Sequence, residues 1–108
     1  MKSYDLYGFT SDNLDKLAES LGRTLGVTFS LHESSYRGGD YYRSGTPGQE
    51  EFVLQSNYDQ IEDEIAEPEF PKYSTLLYVG PTDHSEEIKD RIEMEMKSAA
   101  VLLRHRVL

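Results

Sequence analysis

Ser74-Thr75-Leu76-Leu77-Tyr78-Val79 (STLLYV) is the most apolar short run in the chain, and Gly80-Pro81 follows it directly. Six residues bounded by turn formers have the length of a strand rather than a helix. Being the most apolar strand, it is expected to be central in a sheet, with Gly80 and Pro81 closing it. Working back from it, Glu51–Asn57 alternates Phe52 and Leu54 with Val53 and Gln55, a second strand pattern. Between the two, Asp59–Tyr73 contains two prolines and no strand alternation, so it reads as a surface excursion.

Further toward the N-terminus, Tyr36–Gly48 holds four glycines, one proline and three tyrosines, and reads as a long loop or irregular hairpin. Val27, Phe29 and Leu31 point to a strand over Val27–Leu31. Ser3–Phe9 alternates like another. Leu14, Leu17, Ala18 and Leu21 fall on one helical stripe, with Leu25 as an extension, Thr10 or Ser11 as the cap, and Gly22 or Gly26 as the terminator. After Pro81 a second helix is expected from near Asp83–Ser85. Glu86 and Glu87 complement its dipole, and Ile88, Ile92 and Met96 form its apolar stripe. Either that helix runs on to Arg104, or Val101–Leu108 becomes a strand, and the alternation there favours the strand. The expected fold is one α+β domain over residues 1–108, with two helices on a mainly antiparallel sheet of four to five strands, in the order β-α-β-β-β-α-β.

The charge is unevenly placed. The chain carries 20 acids against 11 bases, a formal charge of -9. The 28 residues between Arg43 and Lys72 hold eight acids and no lysine or arginine. Without them 12 acids face 11 bases, so nearly all the excess lies in this one stretch. Such a field attracts a basic partner and repels nucleic acid and anionic lipid. There is no cysteine, which excludes disulfides and thiolate metal sites and is compatible with a reducing compartment. The N-terminus lacks the apolar run of a signal peptide, and no segment approaches the roughly 20 apolar residues that cross a bilayer. A cytoplasmic protein is the expectation.

Few motifs carry chemistry. His32, His84 and His105 show no i,i+4 pair and no HExxH pattern, so no metal or other cofactor is expected. Ser34 and Ser35 lie near His32 without a GxSxG elbow or SxxK spacing. Gly38-Gly39 lacks the phosphate-cradle pattern, and Asp40 would repel a phosphate. An acid–base pair of His32 and Glu33 is the only enzymatic option, and adjacent strand residues face opposite ways. Two stretches fit binding better. The first is 32–43, HESSYRGGDYYR, whose Tyr36, Asp40, Tyr41 and Tyr42 are of the types that recognition surfaces use. The second is Asp59–Glu69, in which Ile61, Ile65 and the nearby Phe70 are set among Asp59, Glu62, Asp63, Glu64, Glu67 and Glu69.

With the run HESSYRGGDYYR, the LQSNYD strand (54–59) and FPKYSTLLYV (70–79), the chain resembles small bacterial immunity proteins. These are the cognate inhibitors of polymorphic toxins, including those of contact-dependent growth inhibition systems. The resemblance implies a non-enzymatic cytoplasmic protein that binds the toxin domain of a sibling cell and blocks its active site. Several such toxins are basic nucleases, and their acidic inhibitors place carboxylates where substrate phosphates would lie. The family has no shared binding motif, so the resemblance assigns no residue. The rival reading is a small-molecule-binding or regulatory domain with Glu33, Tyr36, Arg37 and Asp40 lining a pocket under the glycine–tyrosine loop.

Overall fold

A computed structural model describes residues 1–34, 39–46 and 49–108. The order of elements is β1 (Ser3–Phe9), α1 (Leu14–Leu25), β2 (Ser30–Ser34), β3 (Gly39–Gly45), β4 (Glu51–Ser56), β5 (Tyr58–Asp59), β6 (Glu64–Ile65), β7 (Thr75–Thr82), α2 (Ser85–Met96), a 3-10 turn (Lys97–Ala99) and β8 (Ala100–Val107). The α+β class and the two helices are as expected, but the main sheet has six strands, in the order β2-β3-β4-β7-β1-β8. Every neighbouring pair in it is antiparallel.

The additional strand is β3. Its sequence, GDYYRSG, is flanked by glycines and looks like a loop, yet it pairs with β2 on one side and β4 on the other. Pairing on both edges supplies the ordering that local propensity does not. Strand β2 also starts three residues later than its apolar pattern indicates, because Val27 and Phe29 pack against the core from the connecting segment. Strand β7 is interior, as its composition requires, but it does not stop at Gly80-Pro81. It runs through them to Thr82, and the irregular register opposite Ser3–Asp5 absorbs a proline that has no N–H to donate. The alternating C-terminal segment is indeed a strand, beside β1.

One face of the sheet carries both helices. Tyr7, Phe9, Phe52, Leu54, Leu77 and Val79 meet Leu17, Ala18, Leu21 and Leu25 of α1 and Ile88 and Ile92 of α2. Helix α1 is capped by Asn13, whose side chain accepts from the Lys16 N–H, rather than by Thr10 or Ser11. Of the two glycines that could end it, Gly26 does so, with φ 69°. Tyr42 of β3 adds a tie to α1 by donating its hydroxyl to Asp15. That bond, with some burial, raises the Tyr42 phenol above its ordinary pKa. No helix among the described residues is long and apolar enough to cross a membrane.

The opposite face has no helix among the described residues. Alternation places Tyr4, Leu6 and Gly8 of β1, Leu76, Tyr78 and Gly80 of β7, Val53 and Gln55 of β4, and Tyr41 and Arg43 of β3 on it. Residues 57–73 leave the end of β4 and fold back over this face near Gly8, Tyr78 and Arg104. A Cβ on Gly8 would stand 2.7 Å from Tyr73 and from Leu103, so those side chains lie directly on the β1 backbone there.

Candidate functional site

The acidic excursion is pinned at its base by one residue. Asn57 is buried, and its amide nitrogen donates to the carbonyls of Phe70 at 2.9 Å and Tyr73 at 2.8 Å. Its side-chain oxygen accepts from the Glu67 N–H at 2.9 Å. Its own backbone donates to Ser74 and accepts from Ala66. Five hydrogen bonds from one position hold both ends of the excursion together. Beyond this clamp, β5 and β6 form a two-stranded pair, with Tyr58 opposite Ile65 and Asp59 opposite Glu64. The excursion is therefore a small hairpin rather than strandless, its pairing too short to leave an alternation in the sequence.

The hairpin turn is also built from its acids. The Asp59 carboxylate accepts from the Ile61 and Glu62 N–H groups, both at 2.9 Å. Asp63 adopts a left-handed backbone, φ 55°, which aspartate tolerates better than most residues. On the outside the hairpin exposes Tyr58 (45%), Ile61 (56%) and Ile65 (39%). Glu62, Asp63, Glu64 and Glu69 are also exposed, and among the described residues none of these four carboxylates takes part in an ion pair.

Glu67 points the other way. Its carboxylate accepts from Arg104 at 3.1 and 3.4 Å and from the Tyr78 hydroxyl at 2.6 Å, on the helix-free face of the sheet. Burial pushes its pKa up, but the bonds from Arg104 and Tyr78 and the charges of Arg104 and Arg106 outweigh that and hold it below the ordinary value. Glu67 thus fastens the hairpin to β7 and β8. Two further acids of the stretch are also engaged in the fold. Glu51 lies 2.7 Å from Arg43, and Glu50 accepts from Thr82 at 2.6 Å and sits 3.2 Å from His84.

The tyrosine-rich stretch does not form one patch. Tyr36 and Arg37 lie outside the described residues. Tyr41 and Tyr42 are on opposite faces of β3: Tyr42 reaches Asp15, while Tyr41 stacks on His32 with ring centroids 5.5 Å apart. Register places Tyr41 beside Gln55, on the same face and at the same end of the sheet as the hairpin. Asp40 is exposed opposite Glu33.

One polar constellation was invisible in the sequence because its members are 80 and 100 residues apart. Asp5, buried on the helical face, accepts from Ser85 at 2.6 Å and pairs with His105 Nδ1. These are the residue types of a hydrolase triad in a different arrangement. Ser85 donates to the aspartate and lies 3.5 Å from Nδ1, the nitrogen that already faces Asp5, so the imidazole does not stand between serine and carboxylate as it does in a triad. The cluster ties β1, β8 and α2 together. Among the described residues no group of three or more His, Asp or Glu side chains could hold a metal ion. No family model matches the chain, and comparison with curated proteins finds no match.

Proposed function

We propose that this protein is a non-enzymatic inhibitor of the immunity type, which binds a basic cognate toxin domain, a nuclease, in the cytoplasm. The observation that carries the reading is the clamped hairpin. It exposes three apolar side chains, and the same excursion exposes four carboxylates that have no ion-pair partner among the described residues. Apolar anchors supply contact energy, while the acids steer a cationic surface and set its orientation. The clamp at Asn57 and the strap at Glu67 pre-order the hairpin, which lowers the entropy lost on association. Asp59 serves the turn with its carboxylate, and Glu67 serves the strap. The contact acids are therefore Glu62, Asp63, Glu64 and Glu69, with Tyr41 at the neighbouring edge.

The test combines Glu62→Lys, Asp63→Asn and Glu64→Lys. Asparagine at 63 removes the charge while tolerating the left-handed backbone, so the hairpin keeps its shape. Where the reading frame directly upstream encodes a basic toxin domain, that domain is the partner to co-express in a protection assay. Wild type protects, and the triple variant, with an unchanged circular dichroism spectrum, loses protection and binds at least about 100-fold more weakly. A folded variant that protects as well as wild type overturns the reading.

A further inference from the structure

The part of the helix-free face that the hairpin leaves open is a hollow of about 280 Å³. Its lining side chains come from four adjacent strands: Glu51 and Val53, Tyr78 and Gly80, Tyr4 and Leu6, Arg104 and Arg106. Asp5 and Val79 contribute from between them, and the Asp5 carboxylate is turned to the other face, toward Ser85 and His105. Gly80 shapes the rim. Its φ is 137°, and a Cβ there would stand 2.7 Å from the Tyr4 ring, so that ring lies over the β7 backbone.

Two arginines, Arg104 and Arg106, line this hollow. Arg43 lies against Glu51 and Arg104 is bonded to Glu67, which leaves the exposed side chain of Arg106 with no ion pair or hydrogen bond among the described residues. The hollow thus offers one guanidinium without an ion-pair partner among the described residues, in a chain of -9. Such a setting favours a single negative charge. A polyanion would gain the same one guanidinium and meet the repulsion of the whole molecule. The surroundings of that cation are two tyrosines above aliphatic Leu6 and Val53, a setting for a flat apolar body. A volume of 280 Å³ equals that of roughly nine waters, which suits a molecule of about ten non-hydrogen atoms rather than a peptide.

We infer that this hollow binds a small aromatic monoanion, its carboxylate against Arg106 and its ring beside Tyr4 and Tyr78 over Leu6 and Val53. The site is separate from the outward surface of the hairpin and does not depend on the inhibitor reading.

The experiment titrates the whole protein at neutral pH and fixed ionic strength with benzoate and 4-hydroxyphenylacetate, followed by amide chemical shifts. Benzamide is the uncharged comparison. Saturable shifts are expected at Tyr4, Leu6, Gly80 and Arg106 with at least one of the two acids, and benzamide should bind about tenfold or more weakly. Arg106→Gln should weaken the acid by a similar factor, while Arg23→Gln, on an exposed turn of α1, should leave it unchanged. Absence of saturable shifts with both acids overturns the inference. So do equal affinities for acid and amide, or shifts centred away from the hollow. If Arg106→Gln fails to fold, the comparison of acid with amide on wild type decides alone.

Discussion

Asn57 sets the placement of every residue in the hairpin, and nothing in its local sequence marks it out. It sits after an apolar strand, where an asparagine usually signals only a turn. Its three side-chain hydrogen bonds all go to backbone groups 10 to 16 residues away. Replacing it with alanine leaves a buried N–H and two carbonyls without their partners. Asn57→Ala is therefore expected to cost about 3 kcal/mol in urea unfolding and to speed amide exchange at Ala66 and Glu67 first. Tyr7 shows the reverse case. Its hydroxyl is buried with no hydrogen-bond partner among the described residues, and burial, reinforced by the negative charges of Asp5, Glu93 and Glu86, pushes its pKa far up. Tyr7→Phe removes an unsatisfied polar atom and keeps the packing of the ring, so stability should rise by about 1 kcal/mol in the same measurement.

At the level of elements, what the sequence discloses follows the strength of each local pattern. Strands β1, β4, β7 and β8 and both helices are legible because their apolar spacing matches the face they bury. Leu17, Ala18, Leu21 and Leu25 are such a set. Strand β3 is illegible because its order comes from two neighbours rather than from its own glycines, serine and arginine. The hairpin is legible as acidic and apolar, but not in how its acids divide between binding the backbone, fastening to the sheet and facing solvent. Glu67 is the sharpest example, since only the fold brings Arg104 to it across 37 residues. A carboxyl held below its ordinary value of 4.5 contributes stability that is complete above that value and is lost as pH falls through its folded pKa. Wild type should therefore exceed Glu67→Gln by about 1–2 kcal/mol near pH 7, and the gap should close in acid. Equilibrium unfolding of both proteins across the acidic range measures it.

For the whole molecule the distribution of charge matters more than its sum. The outward acids of the hairpin give the protein a negative pole at one end of the sheet. The guanidinium groups of Arg43, Arg104 and Arg106 lie on the same face further along. Association with a basic partner at the hairpin should be fast at low salt, with k_on reaching about 10⁸ M⁻¹s⁻¹ and falling steeply as salt is added. Stopped-flow mixing over a salt series tests this. A rate that ignores salt would place the contact away from the acids. The negative pole could be read from the sequence, because it is contiguous. The hollow could not, because its Arg104 and Arg106 lie on β8 and meet Tyr4, Tyr78 and Glu51 only through the pairing of β1, β7 and β4.

The Glu67 strap also has a temporal side. Strand β8, which carries Arg104, follows every other element along the chain. On a ribosome the hairpin would emerge well before the strand that fastens it. Until β8 docks beside β1, the hairpin has its Asn57 clamp and the Tyr78 bond to Glu67 but not the Arg104 pair, and β1 keeps one edge unpaired. A nascent chain would thus hold the acidic surface loosely and close it into its final pose last, so that competence to bind follows completion of the sheet.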